Sequence, residues 1–470
     1  MSASGPATTD GTRTTEGGGA TLVRGLSLMD SVLLLVGGIV GSGIFLAVSD
    51  VAEPLSSPAL FLGVWVIGGL ITLLACFAFA ELGAMFPDSG GQYVYLREAY
   101  GEFYGFLFGW MVLFINFSGT VAALAVGFAT YGDEVVPYGA KLAFFQAGGW
   151  APTRGQLVAL ATIALLTWVN VIGLRRVATV QNIATWMKFA AIAIFVALGF
   201  VIGKGDASHF TTSAPATSLP LLFAVAVALN GVFFAFDGFS YVTCAAGEVK
   251  NPQRNIPMAL VIGVIAVGVI YVCLNLVYLY ALPLAHIKDE RTIAQAAGMT
   301  LFSPGAGRWM SLLITVSCFG ANSACILAGA RVVYAMACDR AFFPQLAYVH
   351  PRYRTPSRAL WVLGAWSGVL TLSGKYDELY TYVMFVGVIA YVATVAAVFV
   401  LRKTRPDAER PYRCTGYPVI PAIYLVVGSI WAAIVAYERP KEAIAGAVIM
   451  LIGVPGYVYW RRSKPEESAR

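Results

Sequence analysis

The sequence predicts an all-α membrane protein of about twelve spans, on three observations. Hydrophobic residues make up 58% of the 470 and charged residues only 12%, against roughly 25% charged in a soluble domain. Apolar stretches of about 20 residues, enough to cross a bilayer as helix, recur along the chain. These runs are continuous and do not alternate with period two, which excludes a β-barrel.

In order, the spans fall near residues 28–49, 58–86, 101–130, 155–174, 180–203, 219–246, 257–282, 308–337, 358–373, 377–401, 416–437 and 441–461. Ahead of them, residues 1–25 are rich in Gly, Thr, Ala and Ser and read as a disordered tail. No basic segment precedes a short apolar core there, so the tail is not a secretory leader. Most of the 31 Lys and Arg fall in loops at one end, among them Lys250, Arg254, Arg352, Arg402 and Lys403. The positive-inside rule then places both termini, including a tail at 463–470, on the cytoplasmic side of a cell (inner or plasma) membrane.

The net charge of +6 follows from that bias and gives no reason to expect a nucleic-acid partner. The loops on the opposite side hold none of the seven cysteines, so no disulfide-linked external subunit is expected. His209, His286 and His350 sit far apart in loops. With no metal-ligand spacing, nucleophile elbow or phosphate loop, an enzyme is not expected, nor a catalytic residue, a metal or another cofactor.

The first span reads "SVLLLVGGIVGSGIFLAVSD", with Gly37, Gly38, Gly41 and Gly43 crowded around Ser42. Small residues also let helices pack closely in lipid. Their density around Gly41-Ser42-Gly43 favours a broken helix, because glycine weakens helix and permits unusual backbone angles. Unwound backbone at membrane depth is tolerated only where it lines a cavity or is buried in protein. The amides of Ser42, Gly43 and Ile44 would then open the outer half-helix, where the dipole favours a carboxylate.

The sixth span repeats the design, with Ala235-Phe236-Asp237-Gly238 at its middle. Interrupted helices in corresponding positions of two halves point to a transporter site at the midplane. Carbonyls freed by this second break would accept hydrogen bonds from an ammonium. Together the two breaks read a zwitterion.

With these residues the chain resembles the amino acid–polyamine–organocation superfamily, most closely its L-amino acid and cationic amino acid transporter branch. The likeness runs from Arg24 to about Arg462. It rests on "GGIVGSGIF" (Gly37–Phe45), "FAELGAMFPDSGGQYVYLREAYG" (Phe79–Gly101), "FFAFDGF" with "AGEVKNPQRNIP", and "GARVVYAMACDRAFFP" (Gly329–Pro344), in that order. The resemblance implies a LeuT-type fold: inverted five-helix repeats over 26–203 and 219–401, two extra helices over 402–462, and alternating access. It also implies that Ile39, Ser42 and Gly43 contact the substrate backbone and that Phe234 closes over it. The carbonyls of Phe234 and Asp237, flanking Ala235, would accept from its amine.

A carboxylate at mid-span is costly, and ionisable groups there are functional by default. Members of this branch that take cationic amino acids can carry Asp where Asp237 stands, so its side chain is expected to face a cationic substrate or strengthen the hold on the α-amine. Other roles stay open: capping a half-helix, pairing with a protein cation such as Lys188, or sitting protonated. Lys188 lies about 18 Å past Arg175 and Arg176 at 1.5 Å per residue, too deep to reach the headgroups comfortably. It resembles the lysine that stands, in sodium-independent members, where sodium binds in coupled ones. It would tie the fifth span to carbonyls of the first break and to the eighth span, where Cys325 aligns with the serine that often faces this lysine and Ser323 lies two residues earlier.

The expected function is sodium-independent transport of L-amino acids, cationic or larger neutral ones, by exchange or facilitated flux, with proton linkage as a variant. The rivals are a polyamine or amine carrier of the same fold and a non-transporting membrane sensor. Glu81 is expected to pair locally or with cytoplasmic basic groups, and Arg331 to sit at the inner boundary. Asn116, Asn230 and Asn275 are expected to bond between helices; Trp and Tyr suit interfacial belts.

Overall fold

The computed structural model describes residues 22–145, 151–215, 219–290, 292–373, 376–438 and 440–462. Apart from 22–25, the two predicted tails lie outside the described residues. Helices occupy all twelve predicted windows, and no strand occurs among the described residues. Among the described residues nine stretches are long and apolar enough to cross a membrane, while the apolar helix Leu221–Phe236 is shorter. The longest, Pro304–Cys338, has 35 residues and runs about 50 Å.

Local chemistry sets the ends. The first span opens on a capping box: the Asp30 amide donates to the Ser27 hydroxyl at 3.2 Å, and the Asp30 carboxylate accepts from the Ser27 amide at 2.9 Å. Proline starts the helices at Pro58, Pro252 and Pro304, where its missing N–H costs nothing. Gly173, at φ +132°, turns the chain between the fourth and fifth spans. The third span carries a π-turn at Val112–Asn116, and the Ser118 hydroxyl donates to the Leu113 carbonyl beside it.

At one end of the bundle the segment before the first span pairs with the segment after the sixth. The amides of Gly25 and Leu26 donate to the Glu248 carbonyl at 2.8 and 2.9 Å, and the Lys250 amide donates to the Leu26 carbonyl at 2.8 Å. Two ion-pair groups lie near this end. Arg331, expected at the inner membrane boundary, lies near this end but is 1% exposed and bonded at 2.9 Å to the equally buried Glu248. Glu81 takes Arg402 at 2.6 Å, Arg410 at 3.4 Å and the Cys414 amide at 2.6 Å, which binds the ends of the second and tenth spans to the loop before the eleventh.

Candidate functional site

Both predicted breaks are present. The first span is helical over Leu28–Ile39 and resumes at Gly43. Between them the Gly41 amide turns back to the Ile39 carbonyl at 2.7 Å. The amides of Ser42, Gly43 and Ile44 meet no acceptor among the described residues, and the buried Ser42 hydroxyl has no partner either. The sixth span ends at Phe236; Asp237 is extended and Gly238 has φ +102°, a conformation open to glycine and strained for other residues. A short helical turn, Tyr241–Cys244, follows. The Asp237 carbonyl meets no donor among the described residues.

The breaks are packed against each other. A β-carbon added to Gly43 would lie 2.7 Å from Ala235 Cα, and one on Gly238 would lie 3.2 Å from the Gly38 carbonyl oxygen. The seventh span joins them: the Tyr271 hydroxyl donates to the Ala235 carbonyl at 2.7 Å and has the Ile39 carbonyl within reach at 3.2 Å. One phenol therefore serves a carbonyl at each interruption. Ile39, Ile44 and Ala235 are all buried at this junction.

Lys188 is 1% exposed, and its ammonium donates to the carbonyls of Gly37 at 3.1 Å and Val40 at 2.5 Å. The fifth span is thus pinned to the first break. The eighth span reaches the same place through a different residue from the one expected. The Ser317 hydroxyl donates to the Val40 carbonyl at 2.8 Å, with the Gly41 carbonyl at 3.3 Å. Ser323 instead accepts from the Asn170 amide at 3.2 Å. Cys325 takes the Tyr241 hydroxyl at 3.4 Å and turns its thiol to the Phe117 carbonyl. The cause is helical register: Ser323 and Cys325 lie six and eight residues beyond Ser317, about 9–12 Å further along the helix.

Asp237 does not pair with Lys188. Its carboxylate accepts from the Tyr391 hydroxyl of the tenth span at 2.5 Å. The two residues line a narrow, largely apolar cavity with Thr72, Phe233, Phe239 and Tyr424. No residue of the first span lines that hollow, so it is separate from the unpaired amides of Ser42–Ile44. Phe234 packs with Ile115, in the π-turn of the third span.

Tyr271, Tyr391 and Ser317 escaped the sequence reading. Tyrosine suits an interfacial belt, yet Tyr241, Tyr271 and Tyr278 are at most 3% exposed. The available signal was depth: Tyr271 lies in the interior of the 30-residue helix Pro252–Ala281, flanked by aliphatic residues. Asn275, expected to bond between helices, donates within its own helix to the Tyr271 carbonyl at 2.8 Å.

The sequence profile described as amino acid permease matches residues 26–455. The chain is 31% identical over 453 residues to the serine/threonine exchanger SteT of Bacillus subtilis (strain 168), covering 95% of this chain and 98% of that protein. It is 30% identical over 458 residues to Asc-type amino acid transporter 1 of Mus musculus, covering 95% and 83%. With the mouse b(0,+)-type amino acid transporter 1 it shares 30% over 457 residues, covering 96% and 91%.

Proposed function

We propose that this chain, which belongs to the amino acid permease family, carries L-amino acids across a membrane by sodium-independent exchange. The observation that carries the reading is the junction of two broken helices. Three amides that meet no acceptor among the described residues, at Ser42, Gly43 and Ile44, stand where a half-helix begins, a natural seat for a carboxylate. The carbonyl of Asp237 in the facing break is open to an ammonium. The relatives named above as amino acid transporters and as an exchanger support the same class of substrate and exchange.

In this reading Ile39, Ser42, Gly43 and Ile44 hold the carboxylate end of the substrate, and Phe234, Ala235 and Asp237 hold and cover the amine end. Phe234, resting on Ile115 at the π-turn, is the aromatic that closes. Lys188 supplies a fixed positive charge at the Gly37 and Val40 carbonyls, doing for the first break what a bound cation would do and removing the need for sodium. Cationic and larger neutral side chains are the favoured cargo, because a carboxylate at Asp237 lies next to the second break. Tyr391, whose hydroxyl holds one oxygen of Asp237, would compete with such a cargo for that carboxylate.

The test is uptake of a panel of radiolabelled amino acids into proteoliposomes, with and without internal amino acid, sodium and a pH gradient. Internal amino acid should accelerate uptake in sodium-free buffer. Strict dependence on sodium would remove the role given to Lys188, and full competition by amines without a carboxylate would favour an amine carrier.

A further inference from the structure

Away from the helix breaks, a groove lies between the second and seventh spans under the loop before the eleventh. Its mouth carries Arg254, Gln253, Tyr412 and Thr415, and its floor is Phe77, Met258 and Ile262 among other apolar residues. From Gln253 to Ile262 the seventh span rises about 13 Å, so the polar mouth and apolar floor are stacked along the bundle axis. The mouth is at the end where the Lys250 amide bonds to the Leu26 carbonyl, the end carrying most of the positive loops.

Three features of the groove bear on what it could hold. Arg254 is exposed and makes no ion pair among the described residues. The lining offers a guanidinium, an amide and the hydroxyls of Tyr412 and Thr415, bonded to each other at 2.9 Å, but no carboxylate, which suits a phosphate and leaves a choline or ammonium headgroup without a counter-charge. Beyond the floor, Ile262, Ile265 and Val269 continue as an exposed stripe at helical spacing, and the second span, which packs along the seventh, exposes Val66 and Leu70. An acyl chain would lie along that furrow.

We infer that this groove is a site for one anionic phospholipid of the leaflet facing the Arg254 end, with its phosphate on Arg254 and an acyl chain on Phe77, Met258 and Ile262. The site does not depend on the transport reading, since it shares no residue with the breaks. That the leaflet is the cytoplasmic one rests on the orientation inferred from loop charge.

The test is native mass spectrometry of the full-length protein released from detergent, titrated with dioleoyl phosphatidylglycerol, phosphatidylethanolamine or phosphatidylcholine. Phosphatidylglycerol should bind first and about fivefold more tightly than the zwitterionic lipids, the scale of one basic side chain at an anionic surface. Arg254→Ala should abolish that preference, while Lys204→Ala, which removes the same charge at the opposite end, should keep it. Met258→Trp, which fills the floor and leaves Arg254 in place, should also lose the first lipid. Equal binding of the three lipids, a preference surviving Arg254→Ala, or full occupancy in Met258→Trp would each overturn the assignment.

Discussion

Gly43 rests on Ala235 so closely that a single added methyl would stand 2.7 Å from the Ala235 Cα. The neighbour is backbone and cannot swing aside as a flexible side chain would. Gly43→Ala must therefore separate the two breaks, at an overpacking cost of about 1–3 kcal/mol. Uptake into proteoliposomes should fall by at least about tenfold, the rate equivalent of 1.4 kcal/mol, while Gly63→Ala, at a position with open space, should behave as wild type. Normal transport by Gly43→Ala would mean that the contact is not maintained in the working protein.

Tyr271 is the part of this junction that can be removed without changing shape. Tyr271→Phe deletes the donor shared by the Ala235 and Ile39 carbonyls and leaves the packing of its ring against Trp65 and Phe236. A buried acceptor left unpaired costs about 1–3 kcal/mol. The expected outcome is a lower thermal midpoint in detergent together with slower exchange. A fall in midpoint with unchanged exchange would assign the hydroxyl to stability alone.

How far the site was legible follows from the kind of signal each residue leaves. Glycine clusters and an intramembrane Asp are written in one dimension, so the breaks at Gly41–Gly43 and at Asp237–Gly238 could be read directly. Lys188 was legible as an intramembrane charge from its depth, but its tie to the first break came from the family resemblance, with a pair to Asp237 left open. The eighth-span residue that shares its acceptor was not legible, since Ser317, Ser323 and Cys325 all occupy one helix and only the register of that helix against the first break selects which reaches the Val40 carbonyl. The burial of Arg331 was hidden for a similar reason: its partner Glu248 lies 83 residues away along the chain. Tyrosine was the weakest signal, because the same side chain suits a headgroup belt and a buried carbonyl equally well.

Asp237 and Tyr391 should separate charge selectivity from general transport. If the carboxylate serves cationic substrates, Asp237→Asn should reduce lysine or arginine uptake by about tenfold, the scale of one charge-assisted hydrogen bond, and neutral amino acids much less. Tyr391→Phe should shift the balance the other way, because it frees the carboxylate from its hydroxyl donor. Competition of cationic against neutral substrates in the same vesicles measures the ratio. Equal losses of both classes in Asp237→Asn would confine the residue to a structural role.

Glu248 and Arg331 provide a stability test outside the junction of the two breaks. The pair is 0% and 1% exposed, and the Glu248 carbonyl also anchors Gly25 and Leu26. Removing one partner strands a buried charge, a loss of about 3–5 kcal/mol, whereas replacing both by apolar groups of similar size is often neutral or better. Glu248→Leu alone should lower the unfolding midpoint in detergent sharply, and Glu248→Leu with Arg331→Met should recover most of it, because the backbone bonds from Gly25 and Leu26 need no side chain. If the double variant is as unstable as the single one, the ion pair would have to do more than neutralise two charges. Its specific geometry would then be what holds the segment before the first span against the end of the sixth.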